Sequence, residues 1–114
     1  MLREHAYESK AGWRRQARSR DVADEAATFA RLVVRYRDVL EGKRLILLEA
    51  SGWNANSPTL PAALVSELRR LDWLRDSVID TASLLDAHDY FFLDDHLNRR
   101  GHRKLADAVA AEIA

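Results

Sequence analysis

The 114-residue chain reads as an α/β fold, a short parallel sheet flanked by helices. Three observations predict it. Val22, Ala26, Phe29, Val33, Tyr36 and Leu40 recur at three- and four-residue steps, which is one apolar face of an amphipathic helix. An unbroken apolar run, Leu45-Ile46-Leu47-Leu48, follows directly. Such a run, set between a helix stop and a polar loop, is the pattern of a parallel strand buried on both faces. Helix before short strand then repeats, and that alternation implies right-handed crossovers on a parallel sheet.

Each element has its own signal. Ser19 or Asp21 can cap the first helix at its N-terminus, and Gly42 stands where a helix C-cap belongs. The first strand ends at Glu49-Ala50-Ser51-Gly52, and residues 51–61 (SGWNANSPTLP) form a polar loop. The second helix starts at Ser57-Pro58 or Thr59-Leu60-Pro61, because proline is favoured in a first turn, and its face is Leu60, Leu64, Leu68 and Leu71. A short strand is expected over residues 77–80 and a helical turn over 81–86. Residues 88–95 read as a loop whose Tyr90-Phe91-Phe92-Leu93 is a hydrophobic plug. Asn98 caps a last helix carrying Leu105, Ala106, Val109, Ala110 and Ile113 on one face. The segment around Trp13 reads as a further helix, and the three tryptophans, Trp13, Trp53 and Trp73, as core or interface anchors. Two strands leave edges that want partners. The chain therefore reads as the second half of a larger α/β domain, or as a small domain that pairs with a copy of itself.

Composition narrows the function classes. The length suits one domain with a single core. There are no cysteines, hence no disulfide framework and no thiolate metal site. No apolar run approaches the ~18–20 residues that span a bilayer, so no membrane partner is expected. The first residues lack the apolar core of a signal peptide, and the expected location is the cytoplasm, unless an upstream signal is missing. Net charge is zero but unevenly spread. Residues 1–20 hold six basic and two acidic side chains, a basic N-terminal segment set apart from residues 21–114. No zinc finger, Walker loop or RNP-like run accompanies it, so the segment reads as a solvated helix or tail and a nucleic-acid partner is not expected.

In open α/β sheets functional groups collect at the C-terminal ends of the strands. Two places qualify: Glu49 to Asn54 after the first strand, and Asp94, Asp95 and His96 before the last helix. A general base near neutral pH needs an imidazole and a carboxylate that fixes its tautomer. Asp94 lies two residues before His96 and can fold back onto its ring, and Asp95 is adjacent. Asn98 can fix the loop by capping the helix, and Gly101 permits close backbone approach. His88, Asp89, Asp94, Asp95 and His96 also offer oxygen and nitrogen ligands, but their spacing matches no metal signature, and no metal or other cofactor is assigned.

The run FLDDHLNRRGHRKLADAVAAEIA resembles the closing block of SGNH (GDSL-type) serine hydrolases, with Val78-Ile79-Asp80 and Tyr90-Phe91-Phe92 similar to that family's approach to it. The resemblance covers roughly residues 21–114 and is densest in the last twenty or so. It implies the C-terminal part of a three-layer, flavodoxin-like α/β/α domain. It also implies an esterase acting on a small-molecule or glycan ester, without a cofactor. Carried over, His96 is the general base and Asp94 its orienting carboxylate. The family's commonest spacing puts the acid three residues before the His, where Leu93 stands, so Asp95 remains an alternative to Asp94. The family's Gly-Asp-Ser nucleophile block has no counterpart. Ser51 follows a strand and precedes Gly52, and Ser51, Asn54 and Asn98 are the candidates for substrate and oxyanion contacts. The rival expectation is a non-enzymatic, truncated hydrolase-like module that self-associates, joins a missing N-terminal half, or binds a partner protein.

Overall fold

In the computed structural model, residues 21–52 and 55–114 are described. The basic segment 1–20, with Trp13, and the pair Trp53-Asn54 lie outside them. Helix α1, Val22–Arg35, begins where Asp21 accepts a hydrogen bond from the Asp24 amide at 3.1 Å. Asp24 and Glu25 in its first turn complement the positive end of the helix dipole. Its buried stripe holds Ala26 and Val33, with Phe29 and Ala30 half-buried beside them. The expected continuous helix to Leu40 breaks at Tyr36, whose amide is shared between the Leu32 and Val33 carbonyls at 3.2 and 3.1 Å. That tightening ends α1 and leaves Tyr36 half exposed rather than on the core face. A single turn, α2 (Arg37–Leu40), follows. Gly42, at φ +83°, then takes the left-handed conformation that turns the chain into the sheet.

Strands β1 (Arg44–Leu48) and β2 (Arg75–Ile79) pair in parallel, from Arg44 opposite Arg75 to Leu48 opposite Ile79. β2 thus begins two residues earlier than the sequence suggests. The crossover carries helix α3, Leu60–Leu68, with Pro61 in its first turn. Leu45 and Leu47 share one sheet face by the two-residue period, and both pack on the core cluster of Val33, Leu68 and Leu74. Leu71, just beyond α3, and Trp73 close the cluster, and the Arg37 guanidinium lies 5.1 Å from the Trp73 ring centroid. The expectation that β1 is buried on both faces is corrected. Leu45 to Leu48 are all only half-buried, because among the described residues the sheet has two strands and β1 keeps an open edge. The architecture is mixed α/β around a short parallel sheet.

Beyond β2, Asp80 caps the short helix α4 (Thr81–Leu84), and a 3₁₀ turn spans Ala87–Asp89. Helix α5, Arg99–Ile113, is capped as expected, with Asn98 Oδ1 accepting from the Gly101 amide at 3.0 Å. Its rotation differs from expectation. Leu105 and Val109 are half-buried as predicted, but Ala106, Ala110 and Ile113 are exposed, and the inner face is Gly101, Lys104, Leu105, Ala108, Val109 and Glu112. Polar contacts set this rotation. Asp89 has a fully buried side chain, and Lys104 Nζ sits 2.7 Å from its Oδ2. Arg100 Nε lies 3.2 Å from its Oδ1 without hydrogen-bond alignment, and the Asp86 amide donates to Oδ2 at 2.8 Å. Gly101 faces the same turn so closely that a Cβ there would sit 2.4 Å from the Asp89 carbonyl oxygen. At the far end Arg44 and Glu112 pair at 3.7 Å. The plug is also corrected: Tyr90 is buried, but Phe91, Phe92 and Leu93 are exposed. No helix among the described residues is long and apolar enough to cross a membrane.

Burial pushes the Asp89 carboxyl up, but Lys104, the Asp86 amide and Arg100 outweigh it and hold the group below the usual aspartate range. A carboxylate with a depressed folded-state pKa stabilises above its unfolded value, about 3.9, and loses that contribution as the pH falls through the lower folded value. Lys104→Met is expected to cost about 3 kcal/mol at neutral pH by urea unfolding, since it leaves a buried charge short of its closest partner. The difference from wild type is expected to shrink below about pH 4.

Candidate functional site

Both parallel strands point their C-terminal ends at the same region, and two loops meet there. The first follows β1. Its Glu49 carbonyl accepts from the Thr81 hydroxyl at 2.8 Å, and the Glu49 carboxylate accepts from the Ser57 amide. The Ala55 amide donates to the Gly52 carbonyl at 3.1 Å and closes the turn beyond. Asn56, buried, accepts from the Ser51 amide through Oδ1 at 2.9 Å. The second loop runs from Tyr90 to Leu97, which form an antiparallel bridge at its base. The Phe91 amide donates to the His96 carbonyl at 3.1 Å, and the Asn98 amide to the Asp89 carbonyl at 2.8 Å. Six residues, Phe91 to His96, therefore project from a pinned base.

The loops touch at Gly52 and Asp95. A Cβ on Gly52 would lie 2.9 Å from the Asp95 Cβ and 3.0 Å from its backbone and side-chain oxygens. Only a glycine lets the strand-end loop come this near. Within the projecting loop the His96 Nδ1 contacts Asp94 Oδ1, which also accepts the His96 amide at 2.8 Å. Asp95 Oδ1 lies 3.4 Å from the same ring nitrogen. Asp94 is thus the nearer carboxylate, and Asp95 is shared between the ring and Gly52. The hydrogen bond that the ring donates to Asp94, the Asp94 charge and that of Asp95 raise the His96 pKa above the ordinary imidazole value. All three side chains are exposed, His96 at 79 %. One carboxylate that takes both the amide and the ring of the residue two positions on is also a local Asx-type turn. The same contact holds the loop and orients the ring.

The other candidates fall differently. Asn98 donates through Nδ2 to the His88 and Tyr90 carbonyls at 2.7 and 3.2 Å, while its Oδ1 caps α5. All its polar capacity toward the chain is spent on pinning the loop. Ser51 is half-buried one residue from the Gly52–Asp95 contact, and its carbonyl accepts from the Tyr90 hydroxyl at 3.3 Å. Asn54 lies outside the described residues. Of the five possible metal ligands, Asp94, Asp95 and His96 hold ligand atoms within 4.8 Å of one another. Asp89 is committed to Lys104, and His88 is exposed on the 3₁₀ turn. Gly52 lies in the expected strand-end stretch Glu49 to Asn54, whereas Tyr90 was expected only as part of a hydrophobic plug. The hydroxyl within the apolar run at Tyr90 was the available signal, since a buried tyrosine oxygen needs a partner. Open grooves of about 510 and 460 Å³ run along α1, lined in part by Phe29 and Leu32 and by Ala30 and Leu71, away from these loops. Comparison with known proteins finds no matching family model, no matching curated protein and no matching solved structure.

Histidine ring titration followed by NMR is expected to give His96 a pKa above the ordinary ~6.5. Asp94→Asn should return it toward that value, because the largest cause of the shift is removed. The sign for stability follows: the pair contributes below the unfolded imidazole pKa and is lost as the pH rises through the raised folded value. An unshifted His96 in the wild-type chain would contradict the Asp94 contact.

Proposed function

We propose that the chain carries the acid–base half of an ester hydrolase site of SGNH type, with His96 as general base and Asp94 as its orienting carboxylate. The observation supporting this most directly is the His96 ring held on Asp94 at the C-terminal edge of a parallel sheet, in a loop packed against the strand-end glycine. With Nδ1 turned to a carboxylate, the ring proton stays on that nitrogen and Nε2 presents its lone pair. In acyl transfer Nε2 takes the proton of a serine hydroxyl as the serine oxygen bonds to the acyl carbon. It then gives that proton to the departing alcohol, and water repeats the exchange to free the acid. In this reading the serine is Ser51 or one supplied from outside the chain. The three-layer α/β/α domain, the acyl- or acetyl-ester substrate and the cytoplasmic location belong to the same proposal.

A second reading is favoured by different observations. Leu45-Ile46-Leu47-Leu48 runs along a sheet edge with no second partner among the described residues, and Phe91, Phe92 and Leu93 are exposed in the same loop as Asp94, Asp95 and His96. A non-enzymatic module that self-associates or docks on a partner protein would cover both.

Turnover of p-nitrophenyl acetate separates the readings. The enzyme reading expects His96→Ala to lower kcat/KM by about 100-fold or more. It also expects a wild-type profile that rises with pH through the raised His96 pKa, since the base works deprotonated. Ser51→Ala should match that loss if Ser51 is the nucleophile. Equal rates in wild type and His96→Ala would remove the enzyme reading. Sedimentation at micromolar concentration is expected to give a dimer or larger species under the second reading, and a strict monomer counts against self-association.

A further inference from the structure

Three hydrogen bonds form a closed ring between the two loops. The Ser51 amide donates to Asn56 Oδ1 at 2.9 Å, Asn56 Nδ2 donates to the Tyr90 hydroxyl oxygen at 3.1 Å, and the Tyr90 hydroxyl donates to the Ser51 carbonyl at 3.3 Å. Each group in the ring donates once and accepts once, so the bonds polarise one another in one direction. Asn56 is 4 % exposed and Tyr90 7 %. Breaking one bond therefore leaves buried polar atoms unpaired, and the ring has one satisfied arrangement.

The position of the ring matters more than its strength. Ser51 precedes Gly52, the residue against Asp95. Tyr90 is the base of the projecting loop, bridged to Leu97 next to His96. Asn56 is on neither loop tip and joins the two. The exposed contacts at the tip, His96 to Asp94 and Asp95, are made within the loop and do not by themselves fix its distance from the strand end.

We propose that Asn56 and Tyr90 are positioning residues, a buried clamp that holds the Ser51-Gly52 strand end against Asp95 so that His96 and the strand end move as one unit. The inference rests on the reading of Asp94 and His96 as half of an acyl-transfer site, and it gives that half a fixed distance to the place where a reacting ester would lie. The hydrogen bonds of the clamp run between Asn56, Tyr90 and Ser51. Asn56 and Tyr90 act through Ser51, Gly52 and Asp95.

The test reads geometry, so it stands whether or not the chain turns over an ester. In an amide NMR titration of the full chain, the Gly52 resonance is expected to move with the midpoint of His96, transmitted through Asp95. Tyr90→Phe keeps the ring that fills the buried site and removes only the hydroxyl. In that variant the pH-dependent movement of Gly52 is expected to fall by half or more, while the Leu97 amide keeps following His96. Asn56→Ala should reproduce the loss from the other side of the clamp. Undiminished movement of Gly52 in both variants would overturn the proposal, as would a wild-type Gly52 that ignores His96. A role confined to stability would lower the unfolding midpoint and leave the coupling intact.

Discussion

The buried carboxylate of Asp89 is the constraint on which the C-terminal half depends. Its backbone carbonyl receives the Asn98 amide, its side chain receives Lys104 from the second turn of α5, and its carbonyl oxygen excludes any side chain larger than hydrogen at position 101. The backbone carbonyl and the carboxylate of Asp89 thus fix where α5 starts, how it is rotated and how close it comes. Ionic contacts of this kind are costly to bury and strict in geometry. An apolar contact at the same place would be less strict about the rotation of the helix.

This also explains what was legible in the sequence. The order of helices and strands could be read because periodicity and punctuation are local: Asp21, Gly42, Pro61 and Asn98 each act where they stand. The rotation of α5 could not be read from its apolar residues, since Ala106, Ala110 and Ile113 form as good a stripe as the one used. Lys104 and Gly101 decide between the stripes, and their partner is fifteen and twelve residues back in the chain, in a turn that composition alone marks as solvent-facing. The break at Tyr36 was hidden for a similar reason, because its side chain continues the helical spacing while its amide does not.

The site divides along the same line. His96 and its neighbouring carboxylates were visible because their contact spans two residues. Asn56 and Tyr90 were not, because they meet across 34 residues and only the parallel register of β1 and β2 brings their segments to one edge. Gly52 was seen as a turn residue; its second role, leaving room for Asp95, exists only in three dimensions. The exposed dyad is held by short-range contacts, and the buried clamp by long-range ones.

The open edge of β1 has a consequence for the life of the chain in solution. Among the described residues the side of β1 away from β2 has no strand partner, and four consecutive aliphatic residues along such an edge are a template for strand addition by an extended segment. Lys43 and Arg44 stand immediately before that run, and Glu49 immediately after it. These flanking charges are gatekeepers of the kind that oppose stacking of like strands. With a net charge of zero the molecule has little long-range repulsion to help them. The local guard against strand addition at this run is therefore two cations at one end and one carboxylate at the other.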